Sequence, residues 1–324
     1  MLGLADPAAA LLLAAALALA FIVDAWHGEP RPAWHPVAWM GRYLSWAGRR
    51  LAGRPPAVAY VAGALFWWVG LVLVLTASAA LQYALLTLLP AWAAVLLLGP
   101  TLKPLFAWAL LRDEVAGVEL ALRQSLAAGR KRLARLVSRD VAALDETQVR
   151  ESAIESLAEN LNDSLVAPLF WFALFGLPGA AAYRFANTAD AMWGYRGLRH
   201  GQDWEWAGKW AARADDVLSW LPARLTAALL AAANGGGMRL RSPRGLWAQA
   251  RLTPSPNGGW PMAAMALAVG VSLGKPGVYQ LNAAGRAPRA ADTLRALQLA
   301  ARATLGAVLL AALALAAVAA WSLA

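Results

Sequence analysis

The 324-residue sequence contains no cysteine. This absence excludes disulfide bonds, thiolate metal sites and a cysteine nucleophile. Four common signatures of nucleotide-binding proteins and hydrolases are also missing, namely G-x-x-x-x-G-K-[ST], G-x-G-x-x-G before a strand, H-E-x-x-H and G-x-S-x-G. If the protein uses ATP, it binds the nucleotide without a Walker motif.

Charged residues are absent from three long stretches, residues 57–79, 80–102 and 303–324. Each is as long as the ~20 residues that a helix needs to cross the hydrocarbon core of a bilayer. Residues 7–23 form a fourth apolar run, and no basic residue precedes it, so we interpret it as a retained anchor rather than a signal peptide. With 60% hydrophobic residues, the sequence predicts an all-α, polytopic helical membrane protein with a small helical domain on the cytoplasmic side.

The net charge of +10 comes from 29 lysines and arginines against 19 aspartates and glutamates. Because the basic residues are spread over every loop, they favour contact with anionic lipid over binding of nucleic acid, and part of the excess could attract an anionic substrate. Arginines in 24–56 and 130–135 place both segments in the cytoplasm, with the N-terminus outside. Between them, 57–76 and 81–99 predict a helical hairpin that turns near Ser78–Gln82.

We divide the chain into three consecutive segments. Residues 1–102 hold the anchor, a polar loop and the transmembrane hairpin, 103–216 form a helical membrane-surface domain with an acidic site, and 217–324 hold apolar helices, a Gly-rich loop and a C-terminal transmembrane helix. The apolar stretch 165–182 is broken at Leu177-Pro178-Gly179, which predicts a re-entrant or buried helix pair rather than a full crossing.

An acidic helix is predicted to begin at Asp145, which with Gln148 forms a capping box. The next three glutamates fall on one face of this helix, opposite an apolar face: Glu151, Glu155 and Glu159 against Ile154, Leu157 and Leu161. Like charges four residues apart repel each other by a few tenths of a kcal/mol, and a bound Mg²⁺ would offset that cost. The alternative is a solvated helix face.

Three further groups of residues could carry chemistry. A polar cluster of Arg184, Asn187, Asp190, Tyr195 and Arg196 suits a metal–nucleotide, or simply ends a helix. The loop Ser255–Gly259 precedes Trp260-Pro261 and suits an anion site, or is an ordinary interhelical loop. His35, one of three histidines with His27 and His200, is a proton acceptor or a hydrogen-bond anchor.

Taken together, these stretches resemble the CobD/CbiB family of membrane-bound adenosylcobinamide-phosphate synthases, over roughly residues 20–280 and in family order. The N-terminal matches are Asp24-x4-Glu29-Pro30-Arg31, His35-Pro36-Val37, Gly41-Arg42 and Arg139-Asp140. The central matches are Glu151-Ser152-x2-Glu155-Ser156-x2-Glu159-Asn160-x2-Asp163, Ala167-Pro168-Leu169-Phe170 and Tyr183-Arg184-x2-Asn187-Thr188-x-Asp190. The C-terminal matches are Gly194-Tyr195-Arg196, Asp215-Asp216, Pro222-Ala223-Arg224-Leu225 and Ser255-Pro256-Asn257-Gly258-Gly259.

This resemblance implies an acid–amine carbon–nitrogen ligase that joins adenosylcobyric acid to (R)-1-amino-2-propanol phosphate, or a related amino alcohol phosphate, in vitamin B12 (cobalamin) biosynthesis. ATP and Mg²⁺ are the implied cofactors, and the corrinoid is a substrate. Membrane lipid and other cobalamin-pathway enzymes are the implied partners, in a bacterial-type cytoplasmic membrane with the active site on the cytoplasmic side. The alternative is a non-enzymatic membrane sensor of the same fold, like AmpE.

The resemblance also suggests roles for individual residues. Mg²⁺ ligands are expected among Glu155, Glu159 and Asp163. Nucleotide or metal would be positioned by Asn160, Asn187 and Asp190. Phosphate would be bound by Arg139, Arg184 and Arg196. A second phosphate, that of the amino alcohol, would be held by Asn257, Gly258 and Gly259. His35 is the expected general base for the amine.

Overall fold

The structure is a computed structural model that describes residues 6–51, 53–199, 201–235 and 243–321, so that His200 lies outside it. Within these ranges the chain is mostly helical, which confirms the predicted all-α class. The helices are α1 (Pro7–His27), α2 (Pro36–Gly48), α3 (Pro56–Leu88), α4 (Ala91–Leu102), α5 (Trp108–Leu122), α6 (Leu126–Leu133), α7 (Glu146–Leu161), α8 (Ala167–Phe175), α9 (Leu177–Trp193), α10 (Lys209–Leu218), α11 (Trp220–Ala233), α12 (Pro243–Ala250), α13 (Gly259–Val269) and α14 (Ala290–Trp321). Two short antiparallel hairpins are formed by β1 (Leu198–Arg199) with β2 (Gln202–Asp203), and by β3 (Leu273–Lys275) with β4 (Tyr279–Leu281).

Four stretches of the described chain are long and apolar enough to span a membrane. They are α1, α3, the stretch Ala91–Leu122, which comprises α4 and α5, and α14. A fifth crossing is counted if α10 and α11, which meet at a bend of 46°, form one span. The protein is therefore a multi-pass helical membrane protein, as its hydropathy predicts.

The predicted turn near Ser78–Gln82 is wrong, because α3 continues unbroken to Leu88 and the chain turns only before Pro90, the N-cap residue of α4. Neither polar side chain interrupts the helix. The hydroxyl of Ser78 donates to the carbonyl of Val74 one turn earlier at 2.6 Å. The amide oxygen of Gln82 accepts a hydrogen bond from the backbone N–H of Leu177 at 2.7 Å. Both polar groups are satisfied inside the protein, so the helix has no need to end there.

The apolar stretch after residue 165 is two short helices, α8 and α9, that meet at Gly176. Gly176 has φ +68°, a conformation that residues with a side chain rarely adopt. At Gly179 a Cβ would collide with the backbone carbonyl of Trp171, so the two helices approach closely. At 1.5 Å per residue the nine residues of α8 reach only ~14 Å, too short to cross a bilayer.

The chain forms two compact units, and each is described by itself. Unit 1 comprises Met1–Ala107, Ala167–Leu218 and Val308–Ala324, and unit 2 comprises Trp108–Val166 and Ser219–Ala307. These units alternate along the chain, whereas the three predicted segments are consecutive, and the segments remain a sequence-based prediction.

In unit 2, α7 is the central helix and packs against α5, α6 and α13. Its start has the predicted capping box, in which Asp145 accepts from the N–H of Gln148 at 2.8 Å and the Gln148 side chain accepts from the N–H of Asp145 at 2.9 Å. Its predicted apolar residues are fully buried: Ile154, Leu157 and Leu161. One turn of π-helix follows at Asn162–Val166 and changes the direction in which the next side chains point.

Candidate functional site

The most distinctive polar group of unit 2 is an ion pair between Glu155 on α7 and Arg139, which precedes that helix. One guanidinium nitrogen of Arg139 (Nη2) donates to Ser152 Oγ at 2.6 Å and lies 3.4 Å from Glu155 Oε2. Glu155 is only 4% exposed. Within the described chain, its other oxygen, Oε1, and the Nε of Arg139 are buried and have no hydrogen-bond partner. Such orphaned atoms are costly, which indicates that a ligand or water completes the group.

The β3–β4 hairpin supplies a second wall. The N–H of Val278 donates to the carbonyl of Lys275 at 2.9 Å, and the two residues between them are Pro276 and Gly277 with φ +72°. These features define a type II turn. Lys275 and Tyr279 are directly paired across the two strands, so their side chains share one face. Both line the same small cleft as the ion pair.

That cleft has a volume of about 180 Å³. It is lined by Leu136, Val137, Ser138, Arg139, Ser152, Glu155, Ser156, Glu159, Asn160, Lys275 and Tyr279. Four of the predicted site residues therefore meet here: Arg139, Glu155, Glu159 and Asn160. Glu151 lies outside this cleft and lines a neighbouring one of about 420 Å³, which also includes Lys275 and Tyr279.

Burial sets the electrostatics of this region. Burial and the charges of Glu155 and Asp145 raise the pKa of Glu151 to about 7, although Arg139 opposes the shift. Burial also raises the pKa of Glu155, despite the nearby Arg139. The pKa of Tyr279 is raised by burial and then by the carboxylates of Glu155 and Glu159, so the phenol stays protonated and can donate a hydrogen bond.

The predicted magnesium ligands do not converge on one point. Within the described residues, no group of three or more His, Asp or Glu side chains could hold a metal ion. Asp163 lies in the π-helical turn and accepts a hydrogen bond from Asn162 at 2.7 Å, and Asn162 in turn accepts from Thr226 at 3.1 Å. Glu155 is engaged by Arg139. This leaves Glu159 as the exposed carboxylate of the predicted set.

The Ser255–Gly259 loop is tied down by its own hydrogen bonds. Ser255 Oγ accepts from the N–H groups of Asn257 at 3.2 Å and Gly258 at 3.0 Å, and the Asn257 side chain accepts from Arg224 at 2.7 Å. A Cβ at Gly259 would collide with the carbonyl of Ala250, so this glycine is required by helix packing. A Cβ at Gly258 would lie 3.2 Å from Glu159 Oε1, which places the loop beside the acidic helix. The predicted phosphate-binding role of the loop remains a prediction.

In unit 1, the predicted cluster forms around α9. Arg184 donates to the side chain of Asn187 at 3.3 Å, and Asn187 donates to Asp215 at 3.4 Å. The carboxylate of Asp190 lies against Gly194, where a Cβ would collide with it. Arg196 follows α9 and acts electrostatically on Asp216. The three predicted α9 residues and two acids of α10 thus form one half-buried polar patch.

His35 has both ring nitrogens engaged in unit 1. Its Nδ1 accepts from the N–H of Val37 at 3.2 Å and caps α2, while Nε2 lies 3.0 Å from Glu29 Oε2. Glu29 also pairs with Lys103 at 2.6 Å, and the buried Lys103 lies 3.2 Å from Asp24. Neither nitrogen of His35 keeps a free lone pair to accept a proton, so this geometry favours the hydrogen-bond anchor over the general base.

Three residues were missed from the sequence, Lys103, Lys275 and Tyr279, and Arg224 was noted within the Pro222–Leu225 match but given no role. Lys103 could have been noticed because it is the first charge after a long uncharged run. The dipeptide Pro276-Gly277 is a turn signal between short β-prone stretches, and it points to Lys275 and Tyr279 as flanking residues. The local sequence around Arg224 does not show its partner, Asn257, which is 33 residues away.

Comparison with known proteins identifies the family. The model of the CobD/CbiB protein family matches residues 17–308. The chain belongs to the CobD/CbiB family.

Relatives in the family agree with this assignment over most of their length. A probable cobalamin biosynthesis protein CobD from Thermococcus kodakarensis is 39% identical over 286 residues, which cover 87% of this chain and 88% of the relative. One from Pyrococcus abyssi is 40% identical over 281 residues, with 87% and 89% covered. The cobalamin biosynthesis protein CobD of Brucella anthropi is 37% identical over 302 residues, with 86% and 90% covered. No solved structure matches the chain. This CobD/CbiB protein therefore acts in cobalamin biosynthesis.

Proposed function

We propose that this CobD/CbiB protein is a membrane-bound, ATP-dependent amide ligase that joins adenosylcobyric acid to an amino alcohol phosphate, giving adenosylcobinamide phosphate. The observation that carries the proposal is the buried Glu155–Arg139 pair, which leaves one carboxylate oxygen and one guanidinium N–H orphaned at the wall of a cleft. A sensor or scaffold has no reason to bury unsatisfied charge, whereas a substrate with complementary charge would satisfy it.

Amide formation requires that a carboxylate oxygen of the corrinoid becomes a leaving group. Bound ATP would supply the phosphoryl group for this activation, and the amine would then attack the acyl phosphate and release phosphate. The residues of this chain contribute mainly binding and orientation, as is usual for phosphoryl transfer. On unit 1, Arg184 and Arg196 are suited to phosphate oxygens because guanidinium groups bind them in a bidentate manner.

The described residues suit a Mg²⁺ ion that would be bound mainly by the phosphates of the nucleotide. Magnesium in such enzymes keeps several waters and takes one or two carboxylates together with substrate phosphates. A preformed cage of three acids is not needed, in agreement with the described residues. Glu159, which is exposed, and Asp163, which is half-buried, are the residues that would hold the ion.

The proposal is tested with membranes that hold the protein. They are incubated with adenosylcobyric acid, ATP, Mg²⁺ and aminopropanol phosphate, and the corrinoid is analysed by mass spectrometry. An ATP-dependent mass gain is expected for the wild type. Glu159→Ala and Asp190→Ala should each abolish it while membrane insertion persists, and Asp113→Ala, at a side chain 62% exposed, serves as the control.

Two outcomes contradict the proposal in different ways. Failure of the wild type with competent substrates favours the non-enzymatic membrane sensor. Normal turnover in Glu159→Ala and Asp190→Ala would show that the reaction takes place but that these residues are wrongly assigned.

A further inference from the structure

The small cleft of unit 2 is lined by charges of both signs. Arg139 and Lys275 bring two cations, and α7 brings the carboxylates of Glu155 and Glu159. Lys275 is near enough to act on the charge of Glu155. A ligand with one anionic and one cationic end would match this pattern, whereas a simple anion or a simple cation would meet repulsion from half of the lining.

The size of the cleft limits the ligand further. Its volume of about 180 Å³ lies below the roughly 300–1,000 Å³ of pockets for drug-sized molecules. A nucleotide or a corrinoid is at least that large, so neither can be enclosed here. A molecule of a few heavy atoms fits.

The orphaned atoms show where the two ends would bind. Among the described residues, Glu155 Oε1 is a buried acceptor without a hydrogen-bond donor of its own, on a side chain only 6% exposed, and it suits an ammonium group. Arg139 Nε is a buried donor without a partner and suits a phosphate oxygen. The Tyr279 hydroxyl lies 3.7 Å from the sulfur of Met262 and also interacts with the Glu155 carboxylate, and it is a further donor that a phosphate oxygen would draw away from Glu155.

We propose that this cleft is the subsite for the amino alcohol phosphate, with Glu155 binding its ammonium group and Arg139, Lys275 and Tyr279 binding its phosphate. The inference rests on the proposed ligase function and deepens it. It removes Glu155 from the expected magnesium ligands, and it assigns the phosphate of the amino alcohol to Arg139 rather than to the loop that holds Asn257, Gly258 and Gly259. It also makes the β3–β4 hairpin part of the substrate site.

The binding test uses purified wild-type protein without ATP or corrinoid. Three probes are titrated by calorimetry: 1-amino-2-propanol phosphate, 1-amino-2-propanol and inorganic phosphate. The complete zwitterion should bind at least tenfold more tightly than either fragment, since each charged end adds a charge-assisted hydrogen bond worth roughly a factor of ten or more. Inorganic phosphate binding as tightly as the zwitterion would overturn the proposal, because the cleft would then be a general phosphate site.

Variants separate the two ends of the ligand. Lys275→Gln and Tyr279→Phe should weaken binding of the phosphate ester but leave the weak binding of 1-amino-2-propanol unchanged, and Lys275→Arg should restore most of the loss from Lys275→Gln. Glu155→Gln should weaken both amine-containing probes. Lys131→Gln, at an exposed lysine of α6, is the matched control and should have no effect.

The ligase assay distinguishes failure of the subsite from failure of the reaction. In an active ligase, Lys275→Gln should raise the KM for the amino alcohol phosphate about tenfold while the KM for the corrinoid stays constant. An active enzyme in which Lys275→Gln and Tyr279→Phe leave that KM unchanged would refute the subsite alone. Tight zwitterion binding without ligation would refute the proposed reaction and leave the subsite standing.

Discussion

Glu155 illustrates how much of this protein's chemistry depends on single buried charges. The residue is 4% exposed and its charge is compensated by Arg139. From the sequence, its position on the acidic face was clear, but a solvated helix face was the alternative interpretation. Glu155 is buried because α13 and the β3–β4 hairpin pack against α7. These partners are distant in the sequence, so they cannot be inferred from the helical periodicity of α7.

Removal of Arg139 should destabilise unit 2. Arg139→Met leaves the Glu155 charge buried without a partner, and because Arg139 is itself 21% exposed we expect a loss of about 1–3 kcal/mol, below the 3–5 kcal/mol of fully buried pairs. Adding Glu155→Leu should recover part of the stability, because the orphaned charge is then gone. Thermal unfolding in detergent measures both variants. Equal melting temperatures for wild type and Arg139→Met would show that the pair is not a stabilising one.

Glu151 should make stability depend on pH. Its pKa is about 7 in the folded protein, against an ordinary value of 4.5, so the folded state retains a proton that the unfolded chain has lost. Stability should therefore fall as pH rises from about 4.5 to about 7 and change little above that range. The groups facing Glu151 are Glu155, Asp145 and Arg139, with the N–H of Gly274. Glu151→Gln should remove this part of the decline.

The measurement is the melting temperature of wild type and Glu151→Gln between pH 5 and 8. The advantage of the variant over the wild type should grow with pH. Asp113→Asn, at an exposed carboxylate, controls for a general effect of removing one negative charge. A constant difference between Glu151→Gln and wild type across the range would contradict the raised pKa.

At the scale of elements, local signals predicted starts of helices well and ends poorly. The Asp145–Gln148 capping box and the apolar face of α7 are encoded within a few residues, and both were predicted correctly. The end of α3 was predicted wrongly, because Ser78 and Gln82 resemble turn residues as long as their hydrogen-bond partners are unknown. The Ser78 hydroxyl donates to a carbonyl of its own helix, and the Gln82 side chain accepts from the N–H of Leu177, which is 95 residues away.

The junction of α8 and α9 offers a test of this distant contact. Gly176→Ala places a Cβ against the Gln82 side chain at a residue with φ +68°, so strain and collision add. We expect a loss of roughly 2 kcal/mol or more, compared with ~1 kcal/mol for strain alone. Gly197→Ala provides the control, because φ is +76° there and none of the residues that the structure describes lies within 4 Å of a Cβ. Equal shifts in melting temperature for the two variants would show that the Gln82 side chain moves aside without destabilising the protein.

At the scale of the whole molecule, hydropathy and charge were enough to predict the class of protein. The set of residues that lines the cleft could be identified only from the three-dimensional fold. The residues that line the cleft of unit 2 come from α7, the segment before it, and a hairpin more than 100 residues later. Glu155 and Glu159, which were grouped from their helical spacing, do line the same cleft, whereas Glu151 lines its neighbour. Lys275 and Tyr279 were missed because strands of three residues carry almost no periodic signal.

The lack of cysteine makes the predicted topology directly testable, since every engineered thiol is the only one in the chain. The positive-inside rule places the basic segment that includes Lys131 in the cytoplasm and the turn after α3 outside. In right-side-out membranes, an impermeant maleimide should therefore label Leu88→Cys, at a residue 77% exposed, but not Lys131→Cys. If the cleft opens on the cytoplasmic side, Val278→Cys at the tip of the hairpin should behave like Lys131→Cys and react only after the membranes are opened. The cysteine-free wild type is the control, and labelling of Val278→Cys from outside would place the substrate subsite on the wrong face for cytoplasmic ATP.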